Sequence, residues 1–391
     1  MISRRSFALG SLAGTALSKA ALADTAGDAD AATRRRADTA LLPVVQKWLT
    51  ESPHTPGVAV AVQFANGCVW NRGFGLRDLT TRRPMPANEY MRVGSTTKTF
   101  TGTILLQLFD KGLIGLDDPL SKYITGDIPQ VPNADQITIR MLGNMTSGIF
   151  DYVDIVEPGG DPASPIWRIP FTPSTPRQLV EIGLSRPPVF APGQGWAYSN
   201  TNFVLLGMVI ENVTGRSLGA NIRMGVLEPL GMNNTAFPLG PRYPGRHPEG
   251  YSLTPPDYTA LTEVTYIQAA SGAWACGNMI ATPRDLLLYA KPLATGQLIS
   301  PAAQRERTRW LDANIYPPDK PFTEQRYGFA LTKMDGLIGH GGNIQGYNTW
   351  MAYLPVVDAS IVVIANVYIT RDPGLDCEGL CKRIADVLVS G

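Results

Sequence analysis

The chain is β-prone at both ends and helical in between, and this split order constrains its fold more than any other feature. Residues 57–64 alternate Val and Ala, Asn66-Gly67 supplies a hairpin turn, and residues 69–74 return as a second strand. Near the other end, residues 327–333 run to an Asp335-Gly336 turn and then to 337–340. Residues 349–354 and 361–367 follow as two strongly β-prone runs, and 380–389 read as a closing helix. Strands from both ends with helices outside them predict one antiparallel sheet assembled from distant parts of the chain.

The middle has another character. Residues 99–109 are almost wholly apolar and stop at Lys111-Gly112, which predicts a buried helix with a glycine C-cap. Thr175-Pro176 opens a helix toward Leu184, with Pro at a tolerated N-terminal position, and 201–213 and 217–230 read as two more. Leu41, Leu42, Val45 and Leu49 fall at helical spacing, so 36–50 form a short helix ahead of the first strand. Segments 235–262 and 312–326 are Pro-rich and read as irregular loops. The expected division is a sheet domain from 24–92 and 266–391, with a mostly helical domain inserted at 93–265.

Composition narrows the function classes. With 44 % hydrophobic residues the chain has ample core, and a formal net charge of +1 without a long basic run argues against a nucleic-acid partner. Residues 1–23 read as an export signal of the twin-arginine type: Arg4-Arg5, a mildly apolar stretch, then Ala21-Leu22-Ala23 as a small-residue cleavage site. The expected location is therefore periplasmic or secreted. The apolar stretch is too short to span a bilayer. Two later uncharged segments, 264–283 and 336–357, carry Gly, Asn and Gln and read as buried sheet rather than membrane spans. Cys377 and Cys381 sit four apart on a helix, an awkward geometry for a bridge. Cys68 and Cys276 read as small core residues, with a disulfide between them as the alternative.

Three histidines, His54, His247 and His340, lie far apart without metal-ligand spacing, so no metal is expected. No phosphate-binding glycine loop and no Gly-x-Ser-x-Gly elbow occurs, and chemistry falls to ordinary side chains without a cofactor. Ser95-Thr96-Thr97-Lys98 stands where a strand-like segment meets the buried helix. Positions three apart at a helix start share a face, so hydroxyl and amine can meet beside free N–H groups. An apolar setting favours the neutral amine and can make it a base. The same residues also fit a plainer role, with Ser95 capping the helix and Lys98 solvated. Tyr198 and Asn200 point one way if extended, giving a phenol for proton relay and an amide for a substrate carbonyl. Capping and packing serve equally well there. In Gly339-His340-Gly341-Gly342-Asn343 the glycines let a ligand approach the backbone, and His340 can position a proton or an anion; a glycine bend with a packed histidine is the alternative.

Taken in order, Arg92-Val93-Gly94-Ser95-Thr96-Thr97-Lys98, Tyr198-Ser199-Asn200-Thr201-Asn202-Phe203, and Gly339-His340-Gly341-Gly342 with Gln345-Gly346-Tyr347 resemble the serine β-lactamase-like and D-alanyl-D-alanine carboxypeptidase family, in its class C β-lactamase and soluble peptidase branch. The resemblance runs from about residue 40 to 385. It implies an α+β fold, a five-stranded antiparallel sheet flanked by N- and C-terminal helices plus an inserted helical region. It implies that Ser95 forms an acyl-enzyme, that Lys98 with Tyr198 moves the proton, and that Asn200, His340, Gly341 and Gly342 bind substrate. The N–H groups of Ser95 and Asn343 would form the oxyanion hole. The substrate would be a small peptide, amide, ester or β-lactam, including peptidoglycan stem peptides. A carboxypeptidase-like activity comes first; a β-lactamase, an esterase, a D-amino-acid amidase and a non-catalytic penicillin-binding sensor are the alternatives. Many relatives carry Thr or Ser after the His and an Arg on the preceding strand. Here Gly341-Gly342 and Leu331-Thr332-Lys333 stand there, leaving Lys333 or Asn343 to grip a substrate carboxylate. Met145 replaces a family His before Thr146-Ser147-Gly148, a change expected to affect packing only.

Overall fold

The computed structural model describes residues 12–154, 174–253, 260–266, 272–313, 315, 322–368 and 376–390, with side chains from residue 29 onward. The main sheet is antiparallel and has eight strands. Its order across the sheet is Val69–Gly75, Gly57–Gln63, Ala359–Ala365, Tyr347–Leu354, Leu337–Ile344, Thr332–Met334, Gln325–Tyr327 and Leu311–Asp312. The first five are seven or eight residues long and correspond to the five expected; the last three, of two or three residues each, extend the edge.

Both faces of this sheet are covered. On one, Val58, Val60, Val62, Ile361 and Val363 meet Leu41, Val45 and Trp48 of the first helix, together with Cys377, Leu380, Cys381 and Ile384 of the last. The spacing of those last residues is one face of a helix, which is why Cys377–Ser390 docks as it does. On the other face Ala59, Ala61, Val362 and Ile364 join the larger core that contains the inserted helices. Small side chains on Gly57–Gln63 leave room there for helix Pro283–Thr295 to lie across the sheet.

Several expectations are revised. The first helix runs Leu12–Glu51, well beyond 36–50, and among its described side chains burial begins at Ala37. Residues 1–11 of the expected export signal lie outside the described residues. The single strand expected at 327–333 is two, Gln325–Tyr327 and Thr332–Met334. Between them Phe329 N donates to Arg307 O and Ala330 N to Gly143 O, so the chain leaves the sheet to bond with the helical region. Segment 264–283 is not sheet throughout: among its described residues Trp274–Gly277 is a short helix and only Ile280–Ala281 a strand. Residues 272–283 are buried, with Trp274–Gly277 against the helix Thr97–Asp110, which accounts for the lack of charge there. All four cysteines are free and buried, so Cys68 and Cys276 do not pair.

Candidate active site

Ser95 sits in a one-turn 3₁₀ segment, Gly94–Thr96, that runs straight into the helix Thr97–Asp110. Three conditions hold it there. Gly94 has φ +50°, and a Cβ on it would come within 2.9 Å of Asn343 N. A Cβ on Gly342 would collide with Val93 O and reach 2.9 Å from Ser95 N. The strand Leu337–Ile344 therefore passes directly against the serine turn. Pairing of that strand with Thr332–Met334 stops at Gly339, and Thr96 Oγ1 donates to His340 O at 3.3 Å just beyond. Glycine at these two positions is what lets the backbones meet. Threonines then fix the helix: Thr101 Oγ1 donates to Ala275 O at 2.8 Å and Thr97 Oγ1 accepts from Met279 N at 3.0 Å.

Lys98 is fully buried. Its Nζ lies 3.0 Å from Ser95 Oγ, 2.6 Å from Asn200 Oδ1 and 2.9 Å from Cys276 O. The Tyr198 ring centroid is 4.8 Å away and the Phe203 ring 5.6 Å. Burial draws the ammonium down to about 8, although the negative charge of Asp151 pulls the other way. Lys98 is thus a buried partner of the serine and not a solvated first-turn residue. Asn200 opens the helix Asn200–Thr214, and its Nδ2 donates to Asp151 Oδ2 at 2.8 Å. Asp151 is buried, also accepts from Val153 N at 3.0 Å, and is pushed up to about 6 by burial and by Asp154.

Tyr198 stands over this group. Burial raises its phenol well above the ordinary range, opposed by the Ser95 hydroxyl beside it. Its ring meets Tyr327 edge-on at 6.3 Å and His340 at 6.4 Å. His340 is 4 % exposed; its Nδ1 lies 2.6 Å from Gly341 O, so that nitrogen carries the proton, and Nε2 accepts from Tyr327 Oη at 3.2 Å. Burial and the Lys98 charge lower the imidazole to about 3. It is a neutral, hydrogen-bonded ring at working pH. Lys333 is ion-paired with Glu324 at 2.9 Å. A Cβ on Gly341 would meet the Trp350 ring and Glu378, so this residue packs toward the terminal helices.

A cavity of about 90 Å³ opens over the serine, lined by Ser95, Tyr152, Asn200, Cys276, Asn343 and Gln345 among others. Among the described residues no cluster of His, Cys, Asp and Glu could hold a metal ion, and no helix is long and apolar enough to cross a membrane. Two contributors lack a motif of their own. Asp151 orients Asn200, and Met145, expected to matter for packing only, also accepts through Sδ from Ser199 N at 3.4 Å and Asn202 Nδ2 at 3.6 Å. Met145 and Asp151 flank Thr146-Ser147-Gly148, which was the signal available for finding them.

A half-buried serine hydrogen-bonded to a buried lysine, on a sheet sandwiched between terminal helices and a helical insert, defines an active-site serine protein of the β-lactamase and penicillin-binding type. The chain belongs to the Beta-lactamase family, whose model matches residues 45–376. Penicillin-binding protein 4* of Bacillus subtilis (strain 168) is 28 % identical over 298 residues, 72 % of this chain and 62 % of its own. Protein flp of Staphylococcus aureus (strain NCTC 8325 / PS 47) is 26 % identical over 323 residues, 80 % of this chain and 60 % of its own. The chain thus spans less than two thirds of these curated relatives. Among solved structures, a D-stereospecific amidohydrolase from Streptomyces sp. superposes with TM-score 0.73 and 29 % identity, covering 89 % of this chain and 97 % of its own. The D-amino acid amidase from Ochrobactrum anthropi SV3 gives 0.75 and 25 %, covering 90 % and 97 %.

Proposed function

We propose that the chain is a serine hydrolase that cleaves small amide-bonded substrates through a Ser95 acyl-enzyme. The observation that carries this reading is the hydrogen-bond set of Lys98. Two of its partners, Asn200 Oδ1 and Cys276 O, can only accept, whereas the third is the Ser95 hydroxyl, which can donate. A neutral amine satisfied in this way turns its lone pair onto the serine proton. With the group drawn to about 8, roughly a tenth is neutral at pH 7.

The chemistry then balances as follows. Lys98 takes the hydroxyl proton as Ser95 Oγ bonds to the acyl carbon, and the carbonyl electron pair moves to oxygen. The N–H groups of Ser95 and Asn343, which adjoin where strand meets turn, accept that charge. Collapse breaks the C–N bond, and the leaving amine receives the proton by way of Tyr198. Because burial keeps the Tyr198 phenol protonated at rest, it serves as relay and not as resting base. The second N–H of Asn200 Nδ2 is left for the substrate amide, and His340 supports the Tyr198 ring through Tyr327. Water later attacks the ester carbon with the same base.

The leaving side favours an uncharged group over a free C-terminal carboxylate. His340 is held neutral, Lys333 is paired with Glu324, and Gly341-Gly342 bring no hydroxyl. The amidohydrolase and amidase likenesses, which extend over nearly their full chains, support the same choice. D-Alanyl-D-alanine carboxypeptidase activity is the second reading, favoured by the similarity to Penicillin-binding protein 4*. A turnover panel of D-amino-acid amide, D-Ala-D-Ala peptide, cephalosporin and p-nitrophenyl ester separates them. The amide should exceed the carboxylate-bearing peptide in kcat/KM by about tenfold, the low end for one lost charged contact. The reverse order would overturn the amide assignment. Export by residues 1–23 rests on Arg4-Arg5 and Ala21-Leu22-Ala23. N-terminal sequencing of exported protein should begin after Ala23, and an intact Met1 there would contradict it.

A further inference from the structure

The motifs account for Ser95, Lys98, Tyr198 and Asn200, yet the buried carboxylate of the site belongs to none of them. Asp151 is 6 % exposed. One of its oxygens accepts from Val153 N at 3.0 Å, which fixes the carboxylate plane, and the other accepts from Asn200 Nδ2 at 2.8 Å. That second bond decides which way the Asn200 amide faces. With Nδ2 held by a group that can only accept, Oδ1 must turn toward Lys98, where it lies 2.6 Å from Nζ. A flipped amide would aim N–H groups at the ammonium and leave the carboxylate facing an oxygen.

We propose that Asp151 is the positioning residue of the catalytic base, setting the Asn200 amide and supplying the negative charge behind Lys98. The carboxylate acts at one remove. When Lys98 takes the serine proton, the new ammonium is buried, and Asp151 is the carboxylate whose charge acts on it directly. The other titratable groups around Lys98 are Tyr198, Cys276 and Tyr152, which burial keeps neutral, and His340 on the facing strand, also neutral. Asp154 faces Asp151 and adds like charge, which helps to hold Asp151 at about 6, still ionised in most molecules at pH 7. The arrangement trades base strength against charge stabilisation: removing Asp151 makes Lys98 easier to deprotonate while weakening the state it must reach.

The inference rests on the acyl-enzyme reading, so its test carries a readout that needs no turnover. In Asp151→Asn, whose single amide oxygen can keep the Asn200 bond only by giving up the one from Val153 N, the Lys98 pKa followed by ¹³Cε-lysine NMR on the full chain should fall by about one unit. The Lys98 resonance is assigned by its loss in Lys98→Met. The acid limb of the ester acylation rate should move down by the same amount. Asp151→Ala, which also frees the amide, should lower kcat about a hundredfold, the size that misplacing a catalytic group carries, and raise KM as well, since the freed Asn200 amide loses its substrate contact. Asn at 151 should restore most of that loss. An unmoved Lys98 pKa in a folded Asp151→Asn variant would overturn the proposal, as would equal kcat for the Ala and Asn variants. No acylation of the wild type, alongside a shifted Lys98 resonance, would instead count against the acyl-enzyme reading and leave the positioning role supported.

Discussion

The two faces of the main sheet are built on opposite terms. Toward the terminal helices, Val58, Val60, Val62, Ile361 and Val363 pack against Leu41, Val45, Leu380 and Ile384, and burial of apolar area does the stabilising. At the serine end of the other face, Lys98 is as deeply buried as those valines, and Asp151 and His340 are buried nearly as far. Lys98 and Asp151 are satisfied by partners from distant segments, Lys98 by residues 102 and 178 positions away and Asp151 by one 49 away, and His340 by Gly341 and Tyr327. Burying such groups costs stability, and their pairing recovers only part of it. The contrast shows where the molecule gives up stability for chemistry.

The contrast predicts a double dissociation. Lys98→Met should slow acylation by about 10²–10⁴, the range for a lost general base, while leaving stability to denaturant unchanged or higher, since an apolar chain of similar size replaces a buried amine. Near-normal acylation in that variant would move the base to Tyr198. Leu380→Ala should do the converse. Truncating a fully buried leucine costs about 2–5 kcal/mol in urea unfolding, with acylation by the remaining folded protein unchanged. A pH series sharpens the comparison further. Acylation needs neutral Lys98, so its rate should rise about tenfold per pH unit and level off above about 8. His340, held at about 3, stays neutral over this range and should contribute no step near pH 6 or 7. The smallest effect belongs to Lys333→Ala: with its ammonium already paired to Glu324, kcat/KM on a neutral amide should change by less than about threefold. A tenfold loss confined to substrates with a free carboxylate would revive the carboxypeptidase reading.

Legibility in the sequence followed the same divide. The terminal-helix face could be read from periodicity, because Val-Ala alternation and the spacing of Leu380, Ile384 and Ala385 are local signals. The buried helix after Ser95 was equally plain. The split at 328–331 was not, because it depends on Phe329 and Ala330 bonding to Arg307 and Gly143, far along the chain. The sheet character of 340–344 was legible only through the uncharged run 336–357, with a glycine bend as the alternative; the glycines in fact keep the strand and permit contact with the serine turn. Ser95, Lys98, Tyr198 and Asn200 were marked by ordered motifs, and the structure brings them within one hydrogen-bonded group. His340 was marked as well, but only burial reveals that it is neutral. Asp151 was marked only by its nearness to Thr146-Ser147-Gly148, and the Cys276 carbonyl carried no mark. A carboxylate that acts through an amide, or a backbone oxygen that fills one lysine valence, has no sequence pattern of its own.

The central claim is that Ser95, deprotonated by Lys98, carries the acyl group. It is tested most directly by trapping. The full chain is reacted with a p-nitrophenyl ester and, separately, with a fluorescent penicillin at pH 8, quenched in acid, and mapped by peptide mass spectrometry. The account predicts a single acyl adduct on Ser95 with at least one of the two reagents, absent from Ser95→Ala and strongly reduced in Lys98→Met. An adduct on another residue, one that persists in Ser95→Ala, or no adduct with either reagent would contradict it.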